Sequence, residues 1–150
     1  MLTPASCARV YRYALPIMLI AAAVWASDEA IQPGIYEITA RIEMPHLDDN
    51  LRSSTTRERH CLSGHEPSSV FPILQHESLA GCRLGEENRG GSTVRYRLVC
   101  QNPQAASGTA RLDSGPGRIA GVLEVKMGGK NMTFSQRVEA TRLGACAGTP

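Results

Sequence analysis

The side chains with the most chemistry to offer are the cysteines and histidines. Cys61, Cys82, Cys100 and Cys146 are spread over the last two thirds of the chain, and His60, His65 and His76 cluster around the first of them. His60, Cys61, His65 and His76 can be drawn as a zinc or copper site, and Met44, Met127 and Met132 add thioethers of the kind that favour Cu(I). Zinc sites, however, recur as tight pairs such as CxxC or HxxxH, and no second pair of that kind follows. A thioredoxin-like redox centre needs CxxC at a helix start, whereas Cys82 and Cys100 stand 18 positions apart. Leu62-Ser63-Gly64-His65 has the residue types of a hydrolase without the GxSxG nucleophile elbow. Asp48-Asp49 falls in a polar break where acidic residues terminate a strand. Asn131-Met132-Thr133 matches a glycosylation sequon but reads more simply as a turn. These residues therefore define no catalytic, cofactor-binding or metal-ligating set, and the expectation is a protein that is not an enzyme.

What the cysteines do depends on the compartment. Arg9 and Arg12 precede the apolar run ALPIMLIAAAVWA, Ala14 to Ala26, which gives way abruptly to SDE. That is the layout of a secretory signal with a cut after Ala26, so residues 1–26 are read as the leader and 27–150 as a single secreted domain. The run has 13 residues where a membrane-crossing helix needs about 20, so no integral membrane protein is expected after cleavage. Cys7, Trp25 and both leader arginines go with the signal, leaving fourteen basic residues against fourteen acidic. Only Lys126 and Lys130 remain as lysines, without the basic block that phosphate neutralisation requires, which sets nucleic-acid binding aside. The remaining aromatics, Tyr36, Phe71, Tyr96 and Phe134, offer few platforms for stacking sugars.

An even count of cysteines in an oxidising compartment reads as two disulfides, for which three pairings exist. The stretch CRLGEENRGGSTVRYRLVC resembles one hairpin. A turn centred on Gly91 makes the indices of opposed residues add to 182, and Cys82 with Cys100 satisfies this. Directly opposed positions are close enough to bridge, so Cys82–Cys100 is favoured and Cys61–Cys146 remains.

The elements that must hold these residues are strands. Tyr36, Ile38, Ala40, Ile42 and Met44 alternate with Glu37, Thr39, Arg41 and Glu43, the period of a strand with one wet face. A polar run from Ser53 to Cys61 predicts a weaker edge strand. Leu62 to Gly81, interrupted by Pro67 and Pro72, predicts a loop with one short helical segment. From Cys82 onward, turn clusters at Asn88–Gly91, Asn102–Ser107, Ser114–Gly117 and Gly128–Asn131 separate further alternating strands. The fold class is mainly β: an antiparallel meander of six to eight strands, forming a disulfide-stapled curled sheet or a small barrel.

Several short motifs occur in order: Pro33-Gly34-Ile35-Tyr36-Glu37, Met44-Pro45, Cys61-Leu62-Ser63, the hairpin cysteines, Met127-Gly128-Gly129 and Arg142-Leu143-Gly144-Ala145-Cys146. Together they resemble the bacterial secreted family known as domain of unknown function 3617, whose members typically open with Pro-Gly-Leu-Trp-Glu and finish with Arg-Leu-Gly-Asp-Cys. Tyr36, Ser63 and Ala145 depart from the usual Trp, Thr and Asp. The resemblance implies a small periplasmic or envelope protein of Gram-negative bacteria and carries no catalytic residues. The leading expectation is a non-enzymatic periplasmic or secreted module that binds a hydrophobic small molecule or an envelope partner through its apolar face or barrel mouth. The competing readings are a copper- or zinc-handling protein and a hydrolase.

Overall fold

The computed structural model describes residues 31–129 and 132–147; the leader read over 1–26 and Asn131 of the sequon lie outside the described residues. Seven antiparallel strands form one sheet: β1 (Gly34–Glu43), β2 (Ser53–Leu62), β3 (Cys82–Gly90), β4 (Thr93–Cys100), β5 (Ala106–Gly115), β6 (Arg118–Met127) and β7 (Thr133–Gly144). Their order in space is β2-β1-β7-β6-β5-β4-β3. β3 to β7 run as a meander, and the β1–β2 hairpin is added beyond β7, so the first strand pairs with the last. β2 and β3 are the two edges, so of the two closures left open by periodicity, the open sheet is the one formed.

This order forces the chain between Leu62 and Cys82 to travel from one edge to the other. It does so as three short 3-10 helices, Pro67–Val70, Pro72–Gln75 and Glu77–Leu79, where the sequence suggests a single helical segment. The reason is local: Pro67 and Pro72 each open a turn, and a proline cannot donate the backbone bond that would carry a helix through it. Val70, Phe71, Leu74 and Leu79 from this crossover are buried together with Tyr36, Ile38, Leu112, Leu123 and Val138 of the sheet.

Three contacts seat the crossover. A Cβ on Gly121 would lie 3.0 Å from Phe71 Cζ and 2.6 Å from Leu112 Cδ2, so the bare backbone of β6 is the floor on which the Phe71 ring rests. Gln136, 1% exposed on the core face of β7, accepts a hydrogen bond from the Ile73 backbone N–H at 3.3 Å. At the far edge the Leu84 N–H donates to Ser68 Oγ at 2.9 Å, occupying a β3 backbone donor that would otherwise be open to pairing.

The β3–β4 hairpin holds a correction of register. Near the turn the paired indices add to 183, as in Gly90 with Thr93 and Asn88 with Arg95, whereas Leu84 pairs with Leu98 and Cys82 with Cys100. Between Gly85 and Asn88 two residues of β3 face one of β4, a bulge that shifts the register by one. The turn is therefore half a residue from the centre assumed on Gly91, and the bulge brings the two cysteines back into opposition.

Candidate functional site

The structure joins Cys82 to Cys100 and Cys61 to Cys146, the latter pair with Cα atoms 5.6 Å apart. His60 and His76 are engaged separately. His60 lies on edge strand β2 with Nε2 2.9 Å from Glu58 Oε2, while His76 caps the third 3-10 turn, its Nδ1 accepting from the Ser78 N–H at 3.2 Å. Among the described residues no group of three His, Cys, Asp or Glu side chains is placed to hold a metal ion. Asp49 pairs with Arg52 at 3.0 Å within the exposed β1–β2 turn. Met132 is exposed, and Met127 packs partly buried against the core. Burial also acts on two titratable side chains, Tyr36 and Tyr96. Desolvation raises both phenols, opposed at Tyr36 by Arg142, and at Tyr96 reinforced by Glu87 and opposed by Arg89.

The sequence suggested a binding surface on the apolar face or at a barrel mouth; the sheet does not close into a barrel, and its apolar face is packed by Val70, Phe71, Leu74 and Leu79 of the crossover. A cavity of about 640 Å³ lies on the opposite, outer face. Strand alternation makes the reason plain: Leu98 and Val125 turn inward and are buried, so their neighbours Arg97, Glu124 and Lys126 turn outward. Register sets Arg97 opposite Thr109, Thr109 opposite Glu124 and Glu124 opposite Ser135, and the next row holds Ser107, Lys126 and Thr133. The cavity is lined by hydroxyls and charged side chains together with apolar surface, including strand residues Leu98, Val125 and Phe134, and is closed on one side by Pro45. A second depression of about 330 Å³ shares Pro45 and Ser135 with it and reaches Arg41, Glu43 and Arg52.

At one corner of the sheet, short sequence motifs from three parts of the chain meet. Arg142 Nε donates to the Pro33 carbonyl at 2.9 Å, and its backbone N–H donates to the Gly117 carbonyl at 2.8 Å. Gly34 has φ +155, and a Cβ there would lie 2.5 Å from both Arg142 Nε and the Gly144 carbonyl. Leu62 pairs with Gly34, and the Cys61–Cys146 bond closes the corner. A family model described as a protein of unknown function, DUF3617, matches residues 31–146. The chain belongs to the DUF3617 family. No curated protein and no solved structure matches it.

In DUF3617 terms, then, the opening Pro-Gly, the Cys-Leu step and the closing Arg-Leu-Gly are parts of one clasp. Their side chains are spent on each other: a guanidinium on a carbonyl, a glycine making room for it, and a disulfide. The outer-face cavity, by contrast, draws on Thr109, Glu124 and Ser135, which belong to no motif. Sequence reasoning passed over them because each reads as an ordinary wet-face residue of its own strand. Only the chained registers β4-β5-β6-β7 show that they form one row.

Proposed function

We propose that this DUF3617 chain is a non-enzymatic binding module of an oxidising compartment outside the cytoplasm, the periplasm of a Gram-negative bacterium, and that it takes its ligand or envelope partner on the outer face. The observation that carries the reading is the distribution of space. The apolar face is filled by the crossover, while the outer face holds the cavity between Arg97, Thr109, Glu124 and Lys126. Two disulfides support the oxidising compartment, since such bonds persist where thiols are not kept reduced. The cavity joins apolar surface with a few hydroxyls and charged groups, a lining suited to holding a ligand.

The test compares wild type with Thr109→Trp, whose indole would fill the cavity from an exposed strand position. Both are purified gently from the native compartment and examined by native mass spectrometry. A retained species on the wild type that is lost from the folded variant is the expected result. Equal retention by both would overturn the site, and turnover of an ester or peptide panel by the wild type would overturn the non-enzymatic reading.

A further inference from the structure

One row of the outer face is unlike the others. Following the pairing across five strands, Arg95 of β4 is directly opposite Arg111 of β5, Arg111 is opposite Val122 of β6, Val122 is opposite Arg137 of β7, and Arg137 is opposite Arg41 of β1. Four arginines thus lie in one line, and all four are exposed. Like charges directly opposed across a ladder destabilise a sheet, and this row contains two such pairs. Arg111 is held by Asp113 at 3.0 Å and Arg41 by Glu43 at 3.1 Å. Arg95 and Arg137 make no ion pair among the described residues. Each end of the row therefore has one anchored guanidinium beside one with its donors open to the outside.

We infer that this row binds an extended anionic polysaccharide, a sugar chain carrying carboxylates along its length, with one carboxylate seated at Arg95/Arg111 and another at Arg137/Arg41. The inference rests on the outer-face reading above and names the ligand class. Guanidinium forks match carboxylate geometry with two parallel donors. With strands about 4.8 Å apart, the two seats are about 14 Å from centre to centre, so a long chain, not a single small anion, can fill both.

The surroundings choose among polyanions. The flanking rows carry Asp113 and Glu139 on one side and Glu43 and Glu124, with Arg97, on the other. A broad anionic surface such as a lipid bilayer would press against Glu139 and Glu124 as well, whereas a single chain lying along the row meets only Asp113 and Glu43, whose charges Arg111 and Arg41 already offset. A protein partner needs an apolar centre to its interface, and the row offers only the half-buried Val122. Sugar hydroxyls find partners in the adjoining cavity, at Thr109 and Ser135. The aromatic rings of Tyr36, Phe71 and Tyr96 are buried and Phe134 packs against the core, so charge and hydroxyl contacts, not stacking, hold the chain.

The test is titration of the intact, oxidised protein with polygalacturonate, with dextran as the neutral sugar, polyglutamate as the acidic peptide and anionic phospholipid vesicles as the lipid surface. The expected result is polygalacturonate binding that weakens as salt is raised, falls about tenfold or more in Arg95→Gln/Arg137→Gln, and is unchanged in Arg118→Gln, an outer-face arginine off the row. The double variant should keep or raise its melting temperature, because it removes opposed like charges. The inference is overturned if polygalacturonate does not bind, if the double variant binds as well as wild type, or if polyglutamate or vesicles bind more tightly. Should any of these occur while Thr109→Trp still displaces a retained species, the glycan is wrong and the outer-face site stands; loss of both removes the site itself.

Discussion

Arg142 Nε donates to the Pro33 carbonyl at 2.9 Å, joining the entry of the first strand to the exit of the last across 109 positions. The guanidinium lies where a Cβ on Gly34 would stand, and φ at Gly34 is +155, a conformation that costs any other residue about 1–3 kcal/mol. Gly34→Ala should therefore destabilise the domain by at least that amount, because the new methyl also pushes the Arg142 guanidinium off the Pro33 carbonyl. Urea unfolding measures it, and a Gly34→Ala protein as stable as wild type would remove the clasp from the account.

The crossover is tested at its centre. Phe71 is fully buried on Gly121, so Phe71→Ala should cost about 3–5 kcal/mol through reduced burial and the void left behind. Gly121→Ala attacks the same contact from beneath: the new methyl meets Leu112 and Phe71 together, and overpacking of this kind costs about 1–3 kcal/mol. Because both act on one contact, the double variant should not show the sum of the two losses. Additive losses would mean that Phe71 does not rest on Gly121.

The inner strands were legible because each has one wet and one dry face, as in Tyr36, Ile38 and Ala40 against Glu37, Thr39 and Arg41. The edge character of β2 was legible too, in the polar run from Ser53. The order of strands was not, since pairing of β1 with β7 joins segments from opposite ends of the domain and leaves no local pattern. That order decides which surface is left open: it sends residues 62–81 across the apolar face and leaves the outer face uncovered among the described residues. The bulge at Glu86–Glu87 was likewise invisible to an index sum, which assumes an unbroken ladder. The arginine row needs four registers in succession, so no single-strand reading could reveal it.

The disulfides should differ in worth. Cys82–Cys100 closes 18 positions within one hairpin, while Cys61–Cys146 closes 85 and ties β2 to the chain end beyond β7. In the loop-entropy account these contribute about 3 and about 4.5 kcal/mol. Paired Cys→Ser variants, unfolded in denaturant, should rank in that order. Equal losses would show that the clasp around Gly34 and Arg142 holds the corner without its covalent bond.

Alkaline stability follows from the two core phenols. Burial raises Tyr36 and Tyr96 above the ordinary value near 10, Arg142 and Arg89 opposing only in part. In the unfolded chain both ionise near pH 10; in the fold they keep their protons to higher pH. Between those limits the native state binds more protons than the unfolded one, so stability falls as pH rises. The contribution is intact below about pH 10 and is lost as pH climbs through the folded values. Tyr36 also donates its hydroxyl to the Gln32 carbonyl at 2.8 Å, a bond that ionisation abolishes. Melting temperature should therefore decline above about pH 10, and Tyr96→Phe should decline less steeply than wild type. If the Tyr96→Phe variant followed the wild-type curve unchanged, the Tyr96 phenol would have no part in the alkaline loss.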